Sequence, residues 1–266
     1  MSKERLISLN RLGEREKMEA EAPFLFQFLV NWLNQYLGNY IPINATIVMT
    51  WLISLGLIGF ALAACSSLKM VPRGLQNLLE LLVEQVLQLL EGIMGHKKAK
   101  FFLPLMGTLT LFILISNLIG LIPGLKAPTS DWNTTIALAM IVFILTHFFG
   151  IKQKGLIGYF KHFVGPIWWL APLMVPIHLI GEIAKPFSLS IRLFANMMAK
   201  HMTLGCLALL LVLFSKKAIL FVQTLFIPVF LPPIVMLLGV LTCLIQTFVF
   251  VFLAIVYISI AMEEEH

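Results

Sequence analysis

Charged side chains are scarce in this sequence. Asp, Glu, Lys and Arg make up 12% of its 266 residues, whereas 59% are hydrophobic and the mean hydropathy is +0.94. This composition lies outside the range of soluble domains and predicts a polytopic membrane protein. The net charge of +6 does not indicate nucleic-acid binding, because most of the bases fall between apolar runs, where the positive-inside rule accounts for them.

Cysteine is also rare, and the metal-binding motifs that use it are missing. Cys65, Cys206 and Cys243 lie in apolar segments, with no CxxC pair and no histidine at metal-ligand spacing. We interpret them as small packing residues and expect neither a metal nor a cofactor. The first residues alternate acids and bases without the short apolar run of a cleavable signal, so we expect insertion to rely on the first true span.

Residues 41–266 form a single predicted membrane domain, preceded by a tail at 1–40 that contains a short interfacial helix. Residues 74–94 place leucines and valines at spacings of three and four, with glutamates on the other side. This pattern is typical of an amphipathic helix in the membrane interface. Ordinary spans, which need about 20 apolar residues, are predicted at about 43–66, 102–122 and 134–151.

Two further apolar runs, about 172–214 and 218–260, are too long for ordinary spans. As helices they would each measure about 60 Å, whereas the hydrocarbon core is about 30 Å thick. We therefore predict two steeply tilted helices that form a hairpin, and the fold class is an all-α polytopic membrane protein. Helices so inclined in lipid need a large protein surface beside them, which indicates an obligate partner.

Lysine and arginine are unequally divided between the two sides of the predicted spans. The richer side is cytoplasmic under the positive-inside rule, which places the amino terminus outside and the carboxyl terminus in the cytoplasm. The bases on the richer side are Lys69, Arg73, Lys97, Lys98, Lys100, Lys152, Lys154 and Lys161, and those on the poorer side are Lys126, Lys216 and Lys217.

Arg192 stands in the middle of the first long run. An arginine at mid-bilayer costs about 2.5 to 3.5 kcal/mol on insertion scales and cannot release its proton, so we expect an anionic partner on another subunit or a water-filled path. The alternative is a structural ion pair with Glu182, which lies about 80° round the helix. At 100° per residue, the face of Arg192 is otherwise polar or small, with His178, Lys185, Ser188, Asn196, Ala199 and Thr203.

The second long run offers a facing seam of small and polar residues. For Gly239 and Cys243 we favour close helix packing. Gln246 differs, because a buried primary amide must find hydrogen bonds, and we expect them near Arg192 and Asn196. Structural glue and a channel-lining role both remain open for Gln246.

Several motifs carry a family resemblance. AKPFSLSIRLFANM at 184–197, followed by LIQTFVFVFLAIVYISIAMEEEH at 244–266, resembles subunit a of the F-type ATP synthase. FILISNLIGLIPG at 112–124 and NTTIALA at 133–139 extend the resemblance to roughly residues 40–266.

The resemblance implies ion translocation, most readily of protons with Na⁺ as the alternative, that couples an ion gradient to rotation of the c-ring and to ATP synthesis. It implies that Arg192 faces the carboxylate of a ring subunit, flanked by Asn196 and Gln246. His201 would belong to the outer half-channel and Glu182 would lie toward the cytoplasmic one. The implied partners are the c-ring, b-type peripheral stalk subunits, the other synthase subunits and the bilayer. The chain would bind no nucleotide, would be no enzyme alone, and would lie in a bacterial plasma membrane.

Three positions depart from the family pattern. Lys200 stands where many relatives have glycine, and Gly239 where many have an ionisable residue. This paired change resembles variants in which a lysine enters the proton path, sometimes in organisms of alkaline habitats. His178 stands where relatives often carry glutamate, so an imidazole could serve the cytoplasmic exit.

Two other function classes are weaker. A self-contained secondary transporter would show repeated halves with broken helices, and no such repeat is evident. A membrane enzyme could draw a base from one of several histidines, but no HExxH, GxSxG or phosphate loop accompanies them. Those histidines are His147, His162, His178 and His201.

Overall fold

The computed structural model describes residues 45–65, 74–122, 125–164, 171–215 and 221–263. Within these ranges the chain is helical and contains no strand, which confirms the predicted all-α class. The predicted tail and interfacial helix at 1–40 lie outside the described residues. The helices are α1 (Ala45–Cys65), α2 (Leu75–Met94), α3 (His96–Ile119), α4 (Trp132–Val164), α5 (Ala171–Ser215) and α6 (Phe221–Met262), with a 3₁₀ turn η1 (Pro128–Ser130) before α4.

The two long helices have the lengths that the sequence predicts. Helix α5 contains 45 residues and α6 contains 42, and the two are in contact. At 1.5 Å per residue, α5 is about 67 Å long, roughly twice the thickness of a hydrocarbon core. Four segments in the described ranges are long and apolar enough to cross a membrane: Thr46–Ala64, His96–Ile119, Trp132–Gly155 and Pro233–Met262.

Glycines in the left-handed region of φ mark the helix junctions. Gly95, with φ of 78°, separates α2 from α3, and Gly155, with φ of 71°, interrupts α4. Only glycine adopts such values without a steric cost. Two helices extend beyond the predicted spans. Helix α3 starts six residues before the predicted span, at His96, and α4 continues beyond residue 151 to Val164, because lysines on a helix surface do not end it.

Helix α2 is amphipathic, as its sequence pattern predicts. Val86 and Leu90 are buried, whereas Glu80 and Glu84 lie on the exposed side. Gln76 donates a hydrogen bond to Glu80 at 2.7 Å, one turn away on this polar side. The buried side of α2 joins the main core, whose largest members are Met106 and Ile113 of α3, Leu189 and Leu193 of α5, and Phe250, Ile255 and Ile258 of α6.

The end of α3 approaches α5 very closely at Gly120. A β-carbon placed there would lie 2.2 Å from the Met197 methyl carbon and 2.7 Å from the Ala127 β-carbon. Helix α4 packs along both α5 and α6, and η1 contacts α3, α4 and α5. These contacts hold α5 by its inward face and fix the direction of the side chains that it carries.

Candidate functional site

Arg192 lies on α5, half-buried, between a packed side and an open side of the helix. The adjacent Leu193 is buried in the core, whereas Ile191 and Ala195 are exposed. Within the described ranges, Arg192 makes no ion pair and no hydrogen bond. A guanidinium has five donors and a permanent charge, so Arg192 is able to bind an anionic group.

The Glu182 carboxylate is paired with Lys185 and not with Arg192. The ion pair is formed with the Lys185 ammonium, one turn along α5. The same ammonium lies 5.7 Å from the centroid of the Tyr257 ring on α6, within cation–π range. The structural ion pair between Glu182 and Arg192, the alternative left open by the sequence, is therefore not formed.

Asn196 and Gln246 join α5 to α6 one turn from Arg192. The Asn196 Nδ2 donates a hydrogen bond to the Gln246 Oε1 at 2.5 Å. Gln246 is only 4% exposed, so its amide is shielded from the surroundings. The hydrogen bond that the sequence predicted for Gln246 is thus present, and it aligns two polar side chains beside the guanidinium.

Lys200 and His201 follow Arg192 along α5, whereas Glu182 precedes it. The Lys200 ammonium donates to the Cys243 sulfur at 3.1 Å, and the Cys243 thiol in turn donates to the Asn117 carbonyl at 3.2 Å. Lys126, in the segment between α3 and α4, is close enough to act electrostatically on His201. This end of the site therefore joins α3, α5 and α6 through a continuous set of polar contacts.

Four buried side-chain atoms at this end have no hydrogen-bond partner within the part of the chain that is described. Buried polar atoms without partners cost free energy, and in polar surroundings ordered water commonly satisfies them. They are Ser116 Oγ, Asn117 Nδ2, His201 Nε2 and Gln246 Nε2. These four atoms are therefore free to bond water or another polar group in this region.

The opposite end of the site contains His178 and Tyr159 as well as Glu182. His178 is half-buried on α5, one turn before Glu182. Burial, and then the negative charge of Glu182, raise the pKa of the Tyr159 phenol. Tyr159 also lies 5.9 Å from the His147 ring, centroid to centroid, so several ionisable groups gather where α4 meets α5.

The small residues of α6 play two different roles. A β-carbon at Gly239 would lie 2.6 Å from the Leu121 Cδ2, which agrees with a packing role. Cys243 is fully buried but is not only a packing residue, because it bridges Lys200 and Asn117. The sequence offered no signal for this bridge or for the Tyr257 contact, since both join residues that lie far apart along the chain.

A polar network also connects η1 and α4 to the site. Thr129 donates to the Asn117 Oδ1 at 2.8 Å, and Ser190 donates to the Thr135 hydroxyl at 3.2 Å. Within the described residues, no group of three or more His, Cys, Asp or Glu side chains could hold a metal. The hydrogen bonds of Thr129 and Ser190 thus extend the polar contacts of the site from α3 and α5 to η1 and α4.

Comparison with known proteins gives a consistent result. A family model described as ATP synthase A chain matches residues 47–259. The chain is 46% identical to ATP synthase subunit a 2 of Syntrophotalea carbinolica over 217 residues, which cover 82% of this chain and 85% of that protein. It is 46% identical to ATP synthase subunit a of Geobacter sulfurreducens, with coverage of 83% and 88%.

The similarity reaches nearly full length in a third relative. ATP synthase subunit a of Trichlorobacter lovleyi is 42% identical over 245 residues, which cover 92% of this chain and 99% of that protein. The two long helices, the unpaired arginine between polar ends and these matches agree with one another. The chain belongs to the ATP synthase A chain family.

Proposed function

We propose that this chain conducts protons between two half-channels at its interface with a c-ring and thereby couples a proton gradient to ring rotation. Membership of the family implies ion translocation in the membrane sector of an ATP synthase, coupled to ATP synthesis. The chain is a membrane subunit and not a catalytic one. We also propose that the chain binds no nucleotide.

The observation that carries the proposal is Arg192, which is unpaired within the described ranges and half-buried on a helix with an open side. A passing ring carboxylate must exchange its proton with an aqueous path, because a bare carboxylate in lipid would cost several kcal/mol. The guanidinium favours the ionised carboxylate and cannot deprotonate, so it separates the two paths. A membrane potential supplies about 2.3 kcal/mol per charge per 100 mV, which is comparable with these local energies.

The positions of the other site residues support two separate paths. Asn196, Lys200 and His201 follow Arg192 along α5, and we assign them with Gln246 to the outer half-channel. Glu182 and His178 precede Arg192 by ten and fourteen residues, about 15 and 21 Å along the helix, and we assign them to the cytoplasmic half-channel. The unpaired buried atoms of Asn117, His201 and Gln246 support hydration of the outer path.

The proposal extends to partners and orientation. The open side of α5 would face the c-ring, and b-type peripheral stalk subunits would hold the chain in place as the stator. The distribution of bases supports an outer amino terminus and a cytoplasmic carboxyl terminus, in a bacterial plasma membrane.

Replacement of Arg192 by alanine in the assembled complex tests the proposal. We expect Arg192→Ala to abolish ATP-driven proton pumping into inverted membrane vesicles, while the complex still assembles. Ile191→Ala is the matched control, because it shortens the adjacent exposed side chain without a change of charge. Coupled pumping by the Arg192 variant would contradict the assigned role, and pumping that requires Na⁺ and survives a protonophore would contradict the choice of ion.

A further inference from the structure

Helix α5 has a local weak point at Pro186. Proline lacks a backbone N–H, so Pro186 cannot donate the helical hydrogen bond to the carbonyl of Glu182, four residues earlier. The helix nevertheless continues through this position. The backbone carbonyl of Glu182 therefore lacks its helical hydrogen bond, and the ion pair with Lys185 helps to fix the direction of the Glu182 carboxylate on this turn.

Lys185 makes the contacts that span this turn. Its ammonium pairs with the Glu182 carboxylate and rests on the Tyr257 ring of α6, 5.7 Å from the centroid. The side chains of Lys185 and Glu182 are 29% and 19% exposed, so solvent screens the pair only in part. One cation thus connects the acidic side chain, the turn before Pro186 and the neighbouring long helix.

The packing beneath this turn is incomplete. A small cavity opens between α4, α5 and α6, and Glu182 and Lys185 both contribute to its lining. Side chains beside a cavity have fewer contacts to hold them in place. The remaining lining is mainly apolar and includes Val142, Phe143, Pro186, Leu189 and Tyr257.

Other ionisable groups surround Glu182. Tyr159 of α4 is buried and feels the negative charge of Glu182, which contributes to the raised pKa of its phenol. His178 lies one turn earlier on α5, and Tyr257 approaches from α6. Lys185 is the cation that pairs with the carboxylate. A change at Lys185 therefore alters the charge balance around the Glu182 carboxylate.

We propose that Lys185 is a positioning residue of the cytoplasmic half-channel, which holds the Glu182 carboxylate and ties the turn before Pro186 to α6 through the Tyr257 ring. The inference rests on the proposed function, since it deepens the role of the cytoplasmic end. Lys185 itself transfers no proton in this scheme. It fixes where the acidic group stands relative to Arg192 and holds the turn before Pro186 against α6.

The test compares Lys185→Met with Lys185→Arg in the assembled complex. Inverted vesicles expose the cytoplasmic side, so ATP-driven pumping can be measured while the cytoplasmic pH is varied. We expect Lys185→Met to pump about three- to tenfold more slowly, as suits a partly exposed pair, and to shift the pH profile. Lys185→Arg keeps the charge and should retain the wild-type profile. A wild-type rate and profile for Lys185→Met, or equal damage by both variants, would overturn the inference.

A second pair of variants covers the case in which Lys185→Met does not assemble. Tyr257→Leu leaves both charges and removes the ring, whereas Tyr257→Phe keeps the ring. We expect a shifted profile for Tyr257→Leu alone, and an unchanged one would refute the tether. These experiments test the role of Lys185 separately from the proposed function. If Arg192→Ala loses pumping while the Lys185 and Tyr257 variants behave like the wild type, only the role of Lys185 is refuted.

Discussion

The hydrogen bond between Asn196 and Gln246 allows a quantitative test of the site. Each single alanine substitution removes one partner and leaves the other amide without its bond. Gln246 is 4% exposed, so the loss is not recovered from bulk solvent. A neutral hydrogen bond contributes about 1 kcal/mol net, and a buried group left unpaired costs about 1 to 3 kcal/mol. Each single variant should therefore pump about five- to a hundredfold more slowly, if its bond holds the working geometry.

The double variant measures the interaction itself. Once one partner is absent, removal of the other has no bond left to break, so Asn196→Ala with Gln246→Ala should be faster than the product of the single effects predicts. We expect a coupling of about 1 kcal/mol, or about fivefold in rate. The assay is the initial rate of ATP-driven proton uptake by inverted vesicles, normalised to the amount of assembled complex.

A control pair lies on the same two helices. Thr203 of α5 and Thr242 of α6 are exposed and each donates to the backbone carbonyl of its own helix, at 2.8 Å. Their alanine variants should be additive. If the Asn196 and Gln246 variants are additive as well, the hydrogen bond does not contribute to pumping and the reasoning about the site is refuted.

Two further predictions concern packing and pH. Gly120→Ala should lower the stability of the detergent-solubilised complex by about 1 to 3 kcal/mol, because the added β-carbon would overlap Met197 and Ala127. Gly107→Ala should leave the stability unchanged, since there is open space around Gly107. Equal thermal stability of the two variants would contradict the close approach of α3 to α5. Lys200→Gly should shift the pH optimum of ATP synthesis, because it removes a cation that contacts Cys243 in the proposed outer half-channel. Cys206→Ala, at an exposed position, should leave the optimum unchanged. An unchanged pH profile for Lys200→Gly would refute a place for this lysine in the path.

The sequence predicts the long helices well because the constraint is one of length. A run of more than 40 apolar residues without a polar turn can be helical throughout, and α5 and α6 are. The boundaries of α3 and α4 were less predictable. Lysines at 97, 98 and 100 suggested a loop, but they occupy the first turns of α3, and the actual break is at Gly95. A break at one glycine depends on its φ, which the composition of the flanking residues does not reveal.

In the site, features that depend on spacing along one helix were predictable from the sequence, whereas most contacts between helices were not. The spacing of residues on α5 predicted a polar face around Arg192, and the need of a buried amide for partners predicted the contact of Gln246 with Asn196. The pair of Lys185 with Glu182 has a spacing of three that would have allowed its prediction, but the sequence analysis placed Lys185 only on the face of Arg192. The contacts of Lys185 with Tyr257 and of Lys200 with Cys243 depend on how α5 meets α6, which one sequence does not specify.

The continuity of α5 and α6 has a consequence for topology mapping. If each long helix makes one pass, as we propose, the chain crosses the membrane five times, through α1, α3, α4, α5 and α6. If each long helix made two passes, there would be seven crossings. Both numbers are odd, so a reporter fused before α1 or after α6 gives the same answer for either arrangement. Only a reporter between Ser215 and Phe221 changes sides, which makes that junction the informative place for a tag.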